Sequence, residues 1–330
     1  MAYHVAFPGE SFSLLNEDNN LSEFQDKDKE VITDVPTQLQ PYPGTSDRQL
    51  KRAGWDDFSG KYGLPKAFLL KLFPQHSLLT CYLPPSFHVP IFEALWRAAD
   101  VYLDRACQRR TAPRVHVLAL YLSLLIAPFR GRIIDQPKEP LPETDDTTGQ
   151  DVKHQVFALG SALFIVIEVE LLALNEEENV ADLFMEMLSA ATINQERKLH
   201  ARVHGLITDQ SRFTFYSYDP LQERFFFDEN FFTGGPRERH LTLMIPVSNK
   251  IFSVLLAIYI GALKDLVAER RMAVEDGVRE ALAFAREAQT ILTSRADDLA
   301  ALEMRGAQGL EITEKRFVLH CRLSVLKQPV

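Results

Sequence analysis

The most apolar stretch of the chain, Val156–Leu174, carries two carboxylates, Glu168 and Glu170. A bilayer span needs ~20 apolar residues, and an acid near its centre costs ~2.5–3.5 kcal/mol. The stretch is therefore read as core, as are the shorter runs Val115–Phe129 and Ile251–Leu263. Gly160-Ser161 marks a tight turn between two strands, Asp151–Leu159 and Ala162–Leu172. With the turn pivoting between Gly160 and Ser161, Asp151 lies opposite Glu170 and Lys153 opposite Glu168. Strand alternation puts Glu168 and Glu170 on one face, and cross-strand partners point the same way. Three carboxylates and an ammonium then converge. Such carboxylates repel one another and lose hydration unless a cation neutralises them. Magnesium or manganese suits hard oxygen ligands of this kind. The alternative is an open edge hairpin, with the two glutamates solvated and paired to Lys153.

The chain has 330 residues and a formal charge of −9. That balance excludes coating nucleic acid or anionic membrane by bulk charge, though not a local basic groove. Three scattered cysteines, Cys81, Cys107 and Cys321, with no CxxC, give neither a disulfide framework nor a thiolate zinc knuckle. The first twenty residues lack a basic start followed by an apolar run. An intracellular setting, cytoplasmic or nuclear, and no membrane association are the expectations.

The polar, proline-broken residues 1–60 read as a loosely ordered arm, and residues 61–130 as helical. Val89–Cys107 has helical spacing, with Pro90 in its first turn, and Val115–Phe129 is a second helix ending at Pro128. Arg130–Gln150 reads as a proline- and acid-rich connection. Behind the hairpin come a helix, Asn179–Asn194, with Asn179 as N-cap, and three strands, Ala201–Thr208, Arg212–Tyr218 and Arg224–Phe232. From Pro246 the chain is helical again, as two antiparallel helices breaking near Glu275-Asp276-Gly277, with a last strand at Arg316–Leu323. The expected fold is α/β (α+β): a mixed central sheet flanked by helices over residues 131–265, with N-terminal and C-terminal helical additions, the latter from 266 to 330.

The run DVKHQVFALGSALFIVIEVE, the helix NVADLFMEMLSAATINQ and the strand VHGLITDQSRFTFYSYD resemble the PD-(D/E)XK nuclease superfamily over roughly residues 145–265. The likeness is nearest to its fungal and crinkler-effector-like branches, which carry a glycine-leucine-threonine-aspartate strand of this type after the helix. The resemblance implies a restriction-endonuclease-like core. It implies that Asp151 and Glu168 ligate a divalent metal, Mg2+ or Mn2+, with Glu170 at the position of the motif lysine. The motif is thus E-x-E, which is also what an inactive copy would carry. Lys153 offers a substitute ammonium. Metal-assisted phosphodiester hydrolysis of nucleic acid is the implied activity.

Weaker signals surround this centre. Arg237, Arg239 and His240 follow Gly234-Gly235-Pro236, which places them on a mobile loop suited to phosphate contacts. Arg197 and Lys198 follow a helix and reach for phosphate in the same way. The clusters Arg109/Arg110/Arg114, Arg130/Arg132 and Arg270/Arg271 are further groove candidates. His200 and His204 share a strand face and read as surface histidines. Thr208-Asp209 reads as a turn held by the aspartate side chain. Phe225–Phe227 with Phe231 and Phe232 reads as core, because no basic residue interleaves it. No Walker loop, GxGxxG or GxSxG is present. A catalytically silent binding or effector scaffold is the alternative function. Its C-terminal helices would pair with a protein partner or a second copy through Val274, Val278, Leu282, Ala285, Ile291 and Leu299.

Overall fold

The structure is a computed structural model, and it describes residues 3–7, 10–14, 54–68, 73–104, 107–108, 111–137, 154–159, 161–168, 176–268 and 275–314. Two short strands, β1 (Tyr3–Phe7) and β2 (Glu10–Leu14), form a hairpin. The helices α1 (Trp55–Lys61), α2 (Pro85–Tyr102) and α3 (Thr111–Ile126) precede a six-stranded sheet. Its strands are β3 (Ile133–Pro137), β4 (His154–Ala158), β5 (Ser161–Glu168), β6 (Val203–Thr208), β7 (Arg212–Asp219) and β8 (Arg224–Phe232), in sequential order. Every pairing is antiparallel except β5 with β6, which are parallel and joined by α4 (Glu176–Glu196). The helices α5 (Arg237–Ala268), α6 (Glu275–Thr293) and α7 (Leu299–Glu314) complete the described fold. The expected mixed sheet flanked by helices is thus present.

Successive strand residues face opposite ways, and the two faces are covered differently. Gly205 on β6 lies under Met187 and Leu183 of α4. An aromatic cluster extends that layer, with Phe184 stacked on Phe225 at 4.0 Å between centroids and Trp55, Phe58 and Phe73 around it. Residues 55–60, expected within the arm, therefore belong to the core. The opposite face carries α5, buried along Val247–Leu263. By length and composition α5 is apolar enough to cross a membrane, but most of that stretch is buried inside the fold.

Several elements depart from the sequence expectation for physical reasons. The segment read as a proline-rich connection contains β3, an edge strand whose Pro137 sits at its last position, where a missing N–H is tolerated. The helix α5 begins nine residues before Pro246, because Leu241 and Met244 are buried and hold the helix across the proline. Asn179 lies inside α4 and not at its cap. Two helices follow α5, in place of a single break near residues 275–277. The expected last strand at 316–323 lies outside the described residues. Val278, Leu282 and Ala285, expected to meet a partner, are buried within the chain, beside α5 and α7.

The hairpin register also needs correction. His154 pairs with Val166 and Ala158 with Ser161, so the turn lies at Leu159-Gly160, one residue earlier than expected. Leu159 takes the positive φ of 52° that two-residue hairpin turns demand. An irregularity between Val156 and Phe157 shifts the register again. The expected opposition of Lys153 to Glu168 and Asp151 to Glu170 rests on a register that the described pairs do not follow, and a one-residue slip exchanges faces.

Candidate functional site

Position 168 closes β5, where its backbone pairs with Thr208 at the carboxyl end of the parallel β5–β6 pair. Asp151, Lys153 and Glu170 lie outside the described residues. Crevices beyond the carboxyl ends of parallel strands are where open α/β sheets bind ligands, and this end of the sheet is densely hydrogen-bonded. Thr208 Oγ1 donates to the Arg212 carbonyl and accepts from the Gln210 N–H. One Asp209 oxygen accepts from the Ser211 N–H, the Ser211 hydroxyl and the Arg212 N–H, as the sequence predicted. Arg212 then reaches Glu176 at the start of α4, at 2.7 Å.

His154, the first residue of β4, stands three residues after Asp151 and pairs across the sheet with position 166, two residues from position 168. That separation is ~7 Å along a strand. Its ring is fully buried, and Nδ1 bonds the Asp135 carboxylate on β3 at 2.8 Å. Nδ1–H therefore donates, and Nε2 keeps its lone pair. That nitrogen meets no hydrogen-bond partner among the described residues. A buried acceptor left in this state costs ~1–3 kcal/mol. The sequence could not reveal the pair, because β3 was read as a connection. Its only signal was a histidine three positions after the candidate metal aspartate.

A second polar cluster lies under the α5 face. His204, expected at the surface, is buried, with Nδ1 3.7 Å from Asp228. Burial outweighs the pull of Asp228 and holds the His204 pKa below its ordinary value. Asp228 accepts from Ser217 at 2.9 Å, Arg202 bridges Ser217 and Asp219, and Lys250 of α5 is buried against Glu229. His76 covers this group, and burial, with Arg202 nearby, lowers its pKa too. His200 stands outside β6, its backbone N–H bonded to Asp265.

The expected phosphate contacts separate into two groups. Arg237 is not on a mobile loop: it opens α5, its guanidinium bonds Asp100 at 2.5 Å and Asp104 at 2.6 Å, and it lies over the Trp96 ring. His240 sits one turn further on, tied through Nδ1 to the Thr233 carbonyl. Arg239, Arg197 and Lys198 are exposed. Of the other basic residues, Arg114 is buried, Arg130 pairs with Glu314, and Arg132 bonds the Thr313 carbonyl. Arg109, Arg110, Arg270 and Arg271 lie outside the described residues. The aromatic run is only partly core. Phe225 is buried, whereas Phe226 and Phe232 carry Arg202 and Arg212 over their rings.

Beside the carboxyl end of β6, the turn residues Gln210 and Ser211 form one wall of a cavity of about 360 Å³ between α2, α3 and the start of α5. Among the described residues no three histidine, cysteine or acidic side chains converge as a metal site. Comparison of the chain with protein-family models, with curated proteins and with solved structures finds no match.

Proposed function

We propose that this is a nuclease-like protein: a divalent-cation-dependent hydrolase of nucleic-acid phosphodiester bonds, centred on the open end of the β4–β5 hairpin. The observation that carries the proposal is the buried His154, whose tautomer is set by Asp135 and whose Nε2 lone pair lacks a partner among the described residues. A carboxylate–histidine pair of this kind commonly orients a metal-binding imidazole. The order strand–turn–strand–helix–strand on which the family resemblance rests has its counterpart in β4, β5, α4 and β6, and this supports the reading further.

The donor set fits a divalent cation. Asp151, Glu168 and Glu170 are hard oxygen ligands, and His154 adds a nitrogen, which favours Mn2+ over Mg2+. When bound, the ion polarises the scissile phosphate. Glu170, at the position of the motif lysine, takes the proton of the attacking water, and Lys153 offsets charge on the phosphate. Arg239, Arg197 and Lys198 guide the backbone of the substrate. Arg237 is excluded from that role by its two aspartate partners.

Calorimetric titration of Mn2+ into the wild type and Glu168→Ala tests the proposal, together with plasmid cleavage. Saturable binding and cleavage, both lost in Glu168→Ala with an unchanged melting temperature, are expected. A folded wild type that binds neither Mn2+ nor Mg2+ would overturn it. Binding without cleavage would favour the silent scaffold.

A further inference from the structure

The cavity beside α5 has no part in the metal chemistry above, and its lining specifies a ligand. Its volume of about 360 Å³ falls within the range that holds small organic molecules. Leu95, Leu118, Tyr121, Phe213, Leu241 and Met244 supply apolar walls. One polar group stands out among them. Gln108 is 8% exposed, and its Nε2 donates to the Leu103 carbonyl at 2.8 Å. That bond fixes which end of the amide is oxygen. Oε1 is buried and has no partner among the described residues, so the cavity wall presents a desolvated acceptor. Gln210, on the opposite side, has its own Nε2 committed to the Arg114 carbonyl.

Charge at the rim narrows the ligand further. Asp100 and Asp104 both pair with the single guanidinium of Arg237, so this triad carries one carboxylate in excess. An anionic ligand would meet that carboxylate in a partly desolvated setting, where like charges repel most strongly. We propose that this cavity is a binding site for a small, uncharged, largely apolar molecule that donates one N–H or O–H to Gln108 Oε1. The site is separate from the hairpin end and stands whether or not the protein cleaves nucleic acid.

N-phenyl-1-naphthylamine is a suitable probe: uncharged, apolar, fluorescent in apolar surroundings and bearing one N–H. Titrated into the full chain, it is expected to bind saturably at one site. Its sulfonated analogue, 8-anilinonaphthalene-1-sulfonate, is expected to bind at least ~10-fold more weakly, because its charge faces the excess carboxylate. Ala99→Trp, which fills the cavity, should abolish binding. Gln108→Leu, which removes the acceptor, should weaken it ~5-fold, as for loss of one buried hydrogen bond. Melting temperatures confirm that each variant is folded. On the ligand side, 1-phenylnaphthalene lacks the N–H and should bind the wild type ~5-fold more weakly, so the test survives a variant that fails to fold. The proposal is overturned if the folded wild type shows no saturable binding, or if Ala99→Trp leaves binding intact. It is equally overturned if removing the acceptor or the donor has no effect.

Discussion

Gly205 sits in the middle of β6 directly beneath α4, and it is the tightest point between the parallel strand pair and its crossover helix. A methyl group added there would lie 2.6 Å from Met187 Sδ and 2.9 Å and 3.1 Å from the two Leu183 methyls. Ordinary contacts between such atoms are ~3.5–4.0 Å, so the overlap with sulfur approaches ~1 Å. Both Met187 and Leu183 are fully buried and cannot swing into solvent. Overpacking of this size costs ~1–3 kcal/mol. The backbone φ is not positive, so alanine recovers ~0.4–1 kcal/mol by restricting the unfolded chain. The net expectation for Gly205→Ala is a loss of ~1–2 kcal/mol, or a melting temperature lowered by ~2–8 °C for a chain of this size. Urea denaturation with Met187→Ala as the second arm of a double-mutant cycle tests the cause. Met187→Ala alone should cost ~2–5 kcal/mol. Because it removes the sulfur that alanine strikes, the double variant should be more stable than the sum by ~1 kcal/mol or more. A Gly205→Ala protein within ~0.5 kcal/mol of wild type, or a strictly additive cycle, would refute the reasoning.

Three other expectations concern charge. Burial pushes His88 down to about 4 and raises Glu186, with Asp182 adding to the effect, to about 7. The unfolded chain binds the His88 proton first, so its stability contribution is full above pH ~6.5 and falls, by up to ~3 kcal/mol, towards pH ~4. Glu186 has the opposite sign: its contribution is present below pH ~4.5 and lost as pH rises through ~7. Denaturation at pH 5 and pH 8 should therefore find His88→Phe flattening the acid limb and Glu186→Gln stabilising the alkaline one. Asp135→Asn keeps the shape of the His154 partner but not its charge, so Mn2+ affinity should fall ~10–100-fold by calorimetry with little change in melting temperature. An unchanged affinity would disconnect His154 from the site. Arg237→Ala releases the start of α5 from α2 and should lower stability by ~1–2 kcal/mol. The salt dependence of any nucleic-acid binding should stay the same, because Arg237 neutralises aspartates and not phosphate.

What local chemistry encodes was legible before any coordinates. The strands from 203 to 232 follow from dense apolar and β-branched residues bounded by turn signals, and Asp209 announces its own turn by carrying the side chain that closes it. The core character of Val115–Phe129 and Ile251–Leu263 follows from composition alone. Other features depend on residues distant in the chain. The strand β3 exists because β4 pairs with it, despite a sequence that reads as a connection. The helix α5 runs through Pro246 because Leu241 and Met244 have a core to enter. Arg237 is held by two aspartates more than 130 residues earlier, so its charge is spent on architecture.

At the proposed site the division is sharper. The two glutamates in an apolar strand were visible as an anomaly of composition, since charge in a core is costly wherever the chain folds. The Asp135–His154 pair, the cavity and its buried Gln108 carbonyl appear only when segments 19 to 133 residues apart are brought together. Periodicity and turn chemistry act over a few residues, whereas register, burial and the pairing of charges are settled by the packing of the whole chain.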